Sequence, residues 1–150
     1  MKLAEALQER ADLQHKIYQL TSRLDNNAQV QEGEQPAEDP ASLLKELDSS
    51  LERLEYLIIA INKTNEASKD EGETLSALIA RRYCMQKKIE MLQNFLHAAS
   101  SLTKRTSKTE IVIKSTISVP ELRKYVDDLS KKLRILDNRI QKNNWTIDLL

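Results

Sequence analysis

The chain has 150 residues with 23 basic and 23 acidic side chains, so its formal net charge is zero. Apolar residues make up 40% of it, which excludes a chain that is disordered throughout. Cys84 is the single cysteine, which excludes an internal disulfide framework and favours a reducing compartment. The sequence shows no bilayer-spanning apolar run and no secretory signal, so we expect a cytoplasmic protein.

Four stretches carry apolar residues at alternating spacings of three and four, the repeat with which helices pack at shallow angles. Helices are predicted at about 2–26, 40–68, 74–101 and 119–144. Their seams run from Leu3 to Leu24, from Leu44 to Asn65, from Leu75 to Ala99 and from Leu122 to Asn143. The similar lengths predict a mainly α fold, in which residues 1–150 form one domain, a four-helix up-down-up-down bundle of long, coiled-coil-like helices.

The second helix is preceded by a long polar connection. Residues 27–39 contain Gly33, Pro36 and several acids, which predicts an acidic loop that is either mobile or ordered by a partner. Asp39 followed by Pro40 is typical of an N-cap with proline at the first helical position. The seam residues that we expect to face the bundle core are Leu44, Leu47, Leu51, Leu54, Ile58, Ile61 and Asn65.

One segment breaks the helical pattern. Side chains alternate between two faces from 109 to 118, and β-branched residues are frequent, which predicts a short β segment before the last helix. The sequence contains no second strand candidate. We therefore expect the backbone of this segment to pair with itself, with the irregular residues just before it, or with another subunit. Pairing across a two-fold axis would bury Ile111, Ile113 and Ile117, which makes these residues candidates for an oligomer interface.

Charge is distributed unevenly along the chain. Residues 31–73 carry twelve acids and four bases, whereas residues 74–150 carry seven acids and fifteen bases. A nucleic-acid surface on the basic half is one interpretation, but the bases lack interleaved aromatic residues for stacking. Attraction between the two halves, within the fold or between subunits, fits a chain that is neutral overall. We therefore expect neither a nucleic-acid partner nor a membrane partner.

No catalytic motif is found in the sequence. His15 and His97 lack a second ligand at metal-binding spacing, so no metal site is predicted. The two glycines are isolated and form no phosphate-binding loop, and no nucleophile or triad signature is present. We therefore expect no metal, no cofactor and no enzymatic activity.

Several short stretches resemble the septicolysin-like family of uncharacterised bacterial proteins, a domain of unknown function. They are Asn27–Glu34, Pro36–Pro40, Ile61–Asn65, Glu110–Ile111 and Gln141–Leu149. The chain departs from the family at Arg82–Tyr83, where the family pattern is Arg-Asp. The resemblance implies a bacterial protein, and the family name implies a cytolysin. A pore former needs a segment that lines or crosses a membrane, so a toxin is only the remote alternative.

Polar residues on the seams collect at one end of the predicted bundle. Arg10 and Arg82 occupy positions where leucine would stabilise a plain bundle, and a guanidinium that faces a core needs acceptors. The other candidates for a ligand-binding site at this end are Asn62, Asn65, Asn143, Trp145 and Asp148. A polar bundle end with a purely structural role is the alternative.

Together these patterns favour a non-enzymatic helical module that acts through homo-oligomerisation or through an unknown protein partner. The alternative is a protein that binds a small polar or anionic ligand at the polar layer. These two functions differ in the surface that they use: the first needs an apolar face, and the second needs converging polar side chains.

Overall fold

The computed structural model describes residues 1–101 and 112–150. Within these ranges the protein has four long helices, α1 (Leu3–Asn26), α2 (Pro40–Ala67), α3 (Leu75–Ser100) and α4 (Val119–Thr146). A two-stranded antiparallel sheet, β1 (Lys69–Asp70) and β2 (Glu73–Thr74), precedes α3. The predicted mainly α fold class, with four helices and a small β element before the last one, is confirmed.

The β element lies between α2 and α3. Lys69 pairs with Thr74, and the strands are joined by a tight turn. Its central residues, Glu71 and Gly72, have positive φ angles of 52° and 88°. This backbone twist matches the right-handed twist of a two-stranded hairpin.

The alternating segment at 109–118 differs from the prediction of a β strand there. Residues 112–118 contain no strand, and residues 109–111 lie outside the described ranges. Ser115 Oγ donates to the Ile117 carbonyl at 3.1 Å and accepts from the Ile117 amide at 3.5 Å. Such local side-chain bonds satisfy backbone groups that a strand would pair with a neighbour. A strand over residues 112–118 was therefore a wrong prediction.

The chain divides into two compact units, one of residues 1–74 with 142–150 and one of residues 75–141. The first unit holds α1, α2, the hairpin and the end of α4. The second unit holds α3 and the greater part of α4. The interpretation of residues 1–150 as a single domain stays a prediction.

In the first unit, α1 and α2 run antiparallel, and charged residues spaced by seven line one edge of their contact. The Arg53 guanidinium donates to both carboxylate oxygens of Glu9, at 2.7 and 2.8 Å. Lys16 and Arg23 approach Glu46, at 3.1 and 3.5 Å. We call these contacts the ion-pair ladder. Each pair is partly exposed and contributes little free energy, but together they favour one register of α2 against α1.

This register buries one row of α2. The row shares its face with the ladder residues of α2, and it consists of Leu43, Ser50, Leu57 and Thr64, which we call the inner row. Ser50 Oγ donates to the Glu46 carbonyl at 2.7 Å, and Thr64 Oγ1 donates to the Ala60 carbonyl at 2.8 Å. Because both hydroxyls are hydrogen-bonded, their burial costs little.

The predicted α2 seam is therefore only partly in the core. Ile61 is buried, whereas Leu47, Leu54 and Asn65 are half-buried. Leu44, Leu51 and Ile58 are exposed. For these last three residues the prediction was wrong, because α2 is turned by about one residue position, so that the inner row faces α1.

The acidic loop is fastened at its C-terminal end by α1. The Arg23 guanidinium donates to both carboxylate oxygens of Glu38, at 2.6 to 3.2 Å. The buried Asn27 side chain donates to the Arg23 carbonyl at 2.8 Å and accepts from the Glu38 amide at 2.9 Å. Asp39 then caps α2, accepting from two backbone amides of its first turn at 3.2 and 3.3 Å. The Glu38 end of the loop is thus ordered by the chain itself.

In the second unit, α3 and α4 also run antiparallel. Arg82 Nη1 donates to Asp137 Oδ1 at 2.9 Å, and the Lys88 ammonium lies 5.3 Å from the centroid of the Tyr125 ring. Residue numbers thus rise on α3 as they fall on α4. The buried apolar residues of this unit are Leu75, Leu78, Ile89, Val126, Leu136 and Ile140.

Candidate functional site

The start of α1, the end of α2 and the end of α4 meet at one place in the first unit, which we call the polar end. The Leu3 amide donates to the Ile147 carbonyl at 2.9 Å. The Leu150 amide donates to Thr64 Oγ1 at 3.0 Å. These bonds hold the last residues of the chain against α1 and α2.

Asp148, one of the predicted ligand-binding residues, forms an ion pair at this end. Its Oδ1 lies 2.8 Å from Lys2 Nζ, and the same ammonium donates to the Thr146 carbonyl at 3.0 Å. The hydrogen bond and the charge of Lys2 hold the pKa of Asp148 below its ordinary value. The Asp148 side chain is mostly exposed, so this is a solvated contact rather than a buried charge.

Arg82 and Asp148, two of the predicted ligand-binding residues, have different ion-pair partners. Arg82 pairs with Asp137 in the second unit, and Asp148 pairs with Lys2 in the first. Arg10 is half-buried. A role of Arg10, Arg82 and Asp148 in binding a ligand stays a prediction.

The other predicted ligand-binding residues differ in exposure. Asn62 and Trp145 are exposed, whereas Asn65 and Asn143 are half-buried. Asn62, Asn65, Asn143 and Trp145 lie on the last turns of α2 and α4. Their role in binding a ligand stays a prediction.

Asn144 is the most buried asparagine of the α4 end, and it is not among the predicted ligand-binding residues. It is 7% exposed, and its Oδ1 has no hydrogen-bond partner in the part of the chain that the structure describes. An unsatisfied buried acceptor costs about 1–3 kcal/mol. The spacing of four from the buried Ile140 was the sequence signal that placed Asn144 on the inward side of α4.

Residues 1–101 and 112–150 contain no cluster of three or more His, Cys, Asp or Glu side chains that could hold a metal ion. Over the same ranges, none of the helices combines the length and the apolar character needed to cross a membrane.

α2 carries a continuous apolar stripe on its exposed side. Leu44, Leu51 and Ile58 are spaced by seven, so they share one side of the helix, and they are 51, 44 and 39% exposed. The half-buried Leu47 and Leu54 lie between them and the inner row. We call these three exposed residues the α2 stripe. Single exposed leucines are ordinary, but a row of this length is typical of an interaction surface.

The α2 stripe is more apolar than the row that α2 buries. The stripe holds two leucines and an isoleucine, whereas the inner row holds two leucines, a serine and a threonine. α2 also buries Ala60 and Ile61, so apolar residues lie on both its buried side and its exposed side. The distribution is therefore typical of a helix that packs on two sides.

The sequence contains a signal for this two-sided packing. The adjacent apolar pair Leu43–Leu44 recurs two heptads later as Leu57–Ile58. Neighbouring residues are about 100° apart around a helix, so such pairs need an apolar face wider than a single seam. The period of the seam identified the helix but not the width of its apolar face.

The residues predicted for a β-paired oligomer interface lie outside α2. Ile113 is exposed, Ile117 is half-buried, and Ile111 falls outside the described residues. Because residues 112–118 form no strand, they provide no β pairing. A place for these isoleucines in an oligomer interface stays a prediction.

The chain belongs to the family of unknown function DUF6847, whose model matches residues 10–149. It is also similar over its whole length to a functionally unknown conserved protein from Corynebacterium diphtheriae with a known crystal structure. The two are 36% identical, the TM-score is 0.93, and the match covers 100% of this chain and 99% of the other. No curated protein matches the chain.

These comparisons overturn the resemblance to the septicolysin-like family, which was wrong. Much of that resemblance lay in the polar loop at residues 27–40, where the residue types are those that any surface loop favours. The cytolytic function rested on that resemblance and is not retained.

The Lys2–Asp148 pair gives a pH-dependent prediction. Lys2→Gln should raise the pKa of Asp148 toward its ordinary value of 3.8, because it removes the hydrogen bond and the charge that lower it. The pKa of Asp148 is lower in the folded protein than in the unfolded chain, so the pair stabilises the fold at pH values above the ordinary pKa of Asp148. This stabilisation is lost as the pH falls through the lower, folded-state pKa. An NMR titration of the Asp148 carboxyl carbon measures the shift. Lys45→Gln, on the exposed side of α2, is the control, and an Asp148 pKa that stays equally low in both variants would contradict the assignment.

Proposed function

We propose that the protein works by association, as a non-enzymatic helical module that assembles with itself through the α2 stripe. The supporting observation is that Leu44, Leu51 and Ile58 are exposed while a row containing Ser50 and Thr64 is buried. A second molecule that covers the stripe removes this apolar surface from water, which is the main favourable term in protein association.

The size of the stripe is consistent with such a contact. Burying one leucine or isoleucine completely contributes about 1.5–3 kcal/mol, so three half-exposed side chains contribute roughly 2–4 kcal/mol for each copy. A two-fold dimer contains the stripe twice, which gives roughly 4–8 kcal/mol, whereas a micromolar Kd needs about 8 kcal/mol beyond the entropic cost of association. The stripe therefore supplies a large part of the interaction, and a second surface has to supply the rest.

Light scattering after size exclusion tests self-association. The wild-type protein is expected to show at least twice the chain mass of 17.2 kDa at micromolar concentration. Leu51→Glu places a charge in the middle of the stripe and should shift the mass to that of one chain, with the helical circular dichroism signal unchanged. Tyr18→Glu, at an exposed apolar position on α1, is the matched control and should leave the mass unchanged. A wild-type mass of 17.2 kDa would contradict the proposal.

Binding of a small polar ligand at the polar end is the second candidate function, and the buried Asn144 Oδ1 favours it. An acceptor without a donor is best satisfied by a ligand that carries an N–H or O–H group, and less well by a bare anion. Melting temperatures measured with a panel of amides, amines, alcohols, phosphates and carboxylates test this function. A donor-bearing compound should raise the melting temperature of the wild type but not of Asn144→Ala. No shift with any compound would remove this candidate.

A further inference from the structure

α3 carries a second exposed stripe. Cys84 is exposed, Met91 is 71% exposed, and Phe95 is also exposed. With Ala80 they lie at spacings of four and seven, which places all four on one side of the helix. The buried Ile89 lies on a different side of α3, about 160° from Met91 by helical spacing. We call these four exposed residues the α3 stripe.

Basic residues border the α3 stripe. Arg81 and Lys88 lie along one edge by helical spacing, and Lys87 lies along the other. Lys87 Nζ lies 3.4 Å from the carboxylate of Glu90. The three bases and this one acid carry a formal net charge of about +2. Lys88 rests over the Tyr125 ring.

Acidic residues border the α2 stripe. Asp48 and Glu55 lie along its outer edge, and the exposed Glu52 lies one position further round the helix. Lys45 is the base at its N-terminal end. The two stripes are therefore both apolar, and their borders carry opposite net charges.

We propose that the α2 stripe of one copy docks on the α3 stripe of a second copy, with the acidic border of the first beside the basic border of the second. This inference rests on the proposed self-association and names the two faces that form it. Because the faces differ, the contact is heterologous, and each copy has one α2 stripe and one α3 stripe with which to form it. The second contact surface that the α2 stripe needs is then the α3 stripe.

Charge favours this pairing over either face pairing with itself. Two α2 stripes packed together would bring Asp48 and Glu55 of one copy toward the same carboxylates of the other, and like charges across an interface are unfavourable. Two α3 stripes packed together would bring Arg81 and Lys88 toward the same cations. Pairing α2 with α3 removes both repulsions and replaces them with attractions.

Length and shape also agree. The α2 stripe from Leu44 to Ile58 extends over about 21 Å, and the α3 stripe from Ala80 to Phe95 over about 22 Å, at 1.5 Å per residue. Small and flexible side chains, such as those of Cys84 and Met91, accommodate the leucine and isoleucine side chains of a facing helix. The two stripes therefore have nearly equal lengths.

Disulfide cross-linking to the native Cys84 tests the pairing. Three single variants are made, Leu44→Cys, Leu51→Cys and Ile58→Cys. Consecutive positions among these three lie about 10.5 Å apart along α2. One introduced thiol therefore falls within roughly 5 Å, measured along the helix axis, of Cys84 on the facing helix. A disulfide needs Cα atoms about 4.4–6.8 Å apart. After mild oxidation, at least one variant should give a covalent dimer whose disulfide, located by peptide mapping, joins the introduced thiol to Cys84.

The controls separate this pairing from the others. Adding Cys84→Ser to the cross-linking variant should abolish the covalent dimer, and Tyr18→Cys should give no link to Cys84. A dimer linked through two introduced thiols, a disulfide within one chain, or no link in all three variants would overturn the pairing. In each of these cases, a dimeric mass of the wild-type protein would still support self-association. A mass of 17.2 kDa would overturn both self-association and the pairing of α2 with α3.

A charge reversal gives a second measurement that does not depend on the positions of the thiols. The double variant Asp48→Lys/Glu55→Lys should raise the dimer Kd at least tenfold, because it turns the acidic border basic against a basic face. Asp12→Lys/Asp25→Lys, a matched reversal at exposed sites on α1, should leave the Kd unchanged. An unchanged Kd in the first variant would overturn the pairing of α2 with α3.

Discussion

The register between α1 and α2 is the constraint on which the rest of the structure depends. Glu9 meets Arg53, and Lys16 meets Glu46, along an edge where the charges repeat every seven residues. Each contact is weak in water. Turning α2 by one residue position would separate all of them at once, so the ladder and the inner row together select a single arrangement.

This arrangement gives α2 two different faces. Its inner row packs within the chain, where the hydroxyls of Ser50 and Thr64 bond to backbone carbonyls, and Thr64 also accepts the amide of Leu150. Its more apolar row remains exposed and is available to a partner. The polar side chains therefore serve the fold and the polar end, while the proposed role of the α2 stripe is association. A helix that distributes its residues in this way is stable as part of one chain and still has a surface left for a second.

The apolar periodicity of the sequence was sufficient to predict the fold class. It was insufficient to predict which face of each helix is buried. The four helices follow from long apolar repeats, and Asp39 caps α2 as the Asp39–Pro40 pair predicts, because both signals are local. Which row of α2 turns inward depends on charges of α1, and a period of 3.5 residues fits both rows equally. The pairing of Arg82 with Asp137 likewise depends on a distance between helices that sequence spacing does not contain. The strand predicted around Ile113 failed because Ser115 satisfies the nearby backbone locally.

The direct test of this register, and of the partner that it implies, is the reactivity of single thiols on α2. In a Cys84→Ser background, Leu51→Cys and Leu57→Cys are each treated with a water-soluble maleimide over a wide range of protein concentration. The thiol at position 51 should react rapidly in dilute protein and become protected as concentration rises, because a second copy covers it. The thiol at position 57 should react slowly at every concentration, because α1 covers it within the chain. A rate at position 51 that does not depend on concentration, or faster reaction at position 57 than at position 51, would contradict this account.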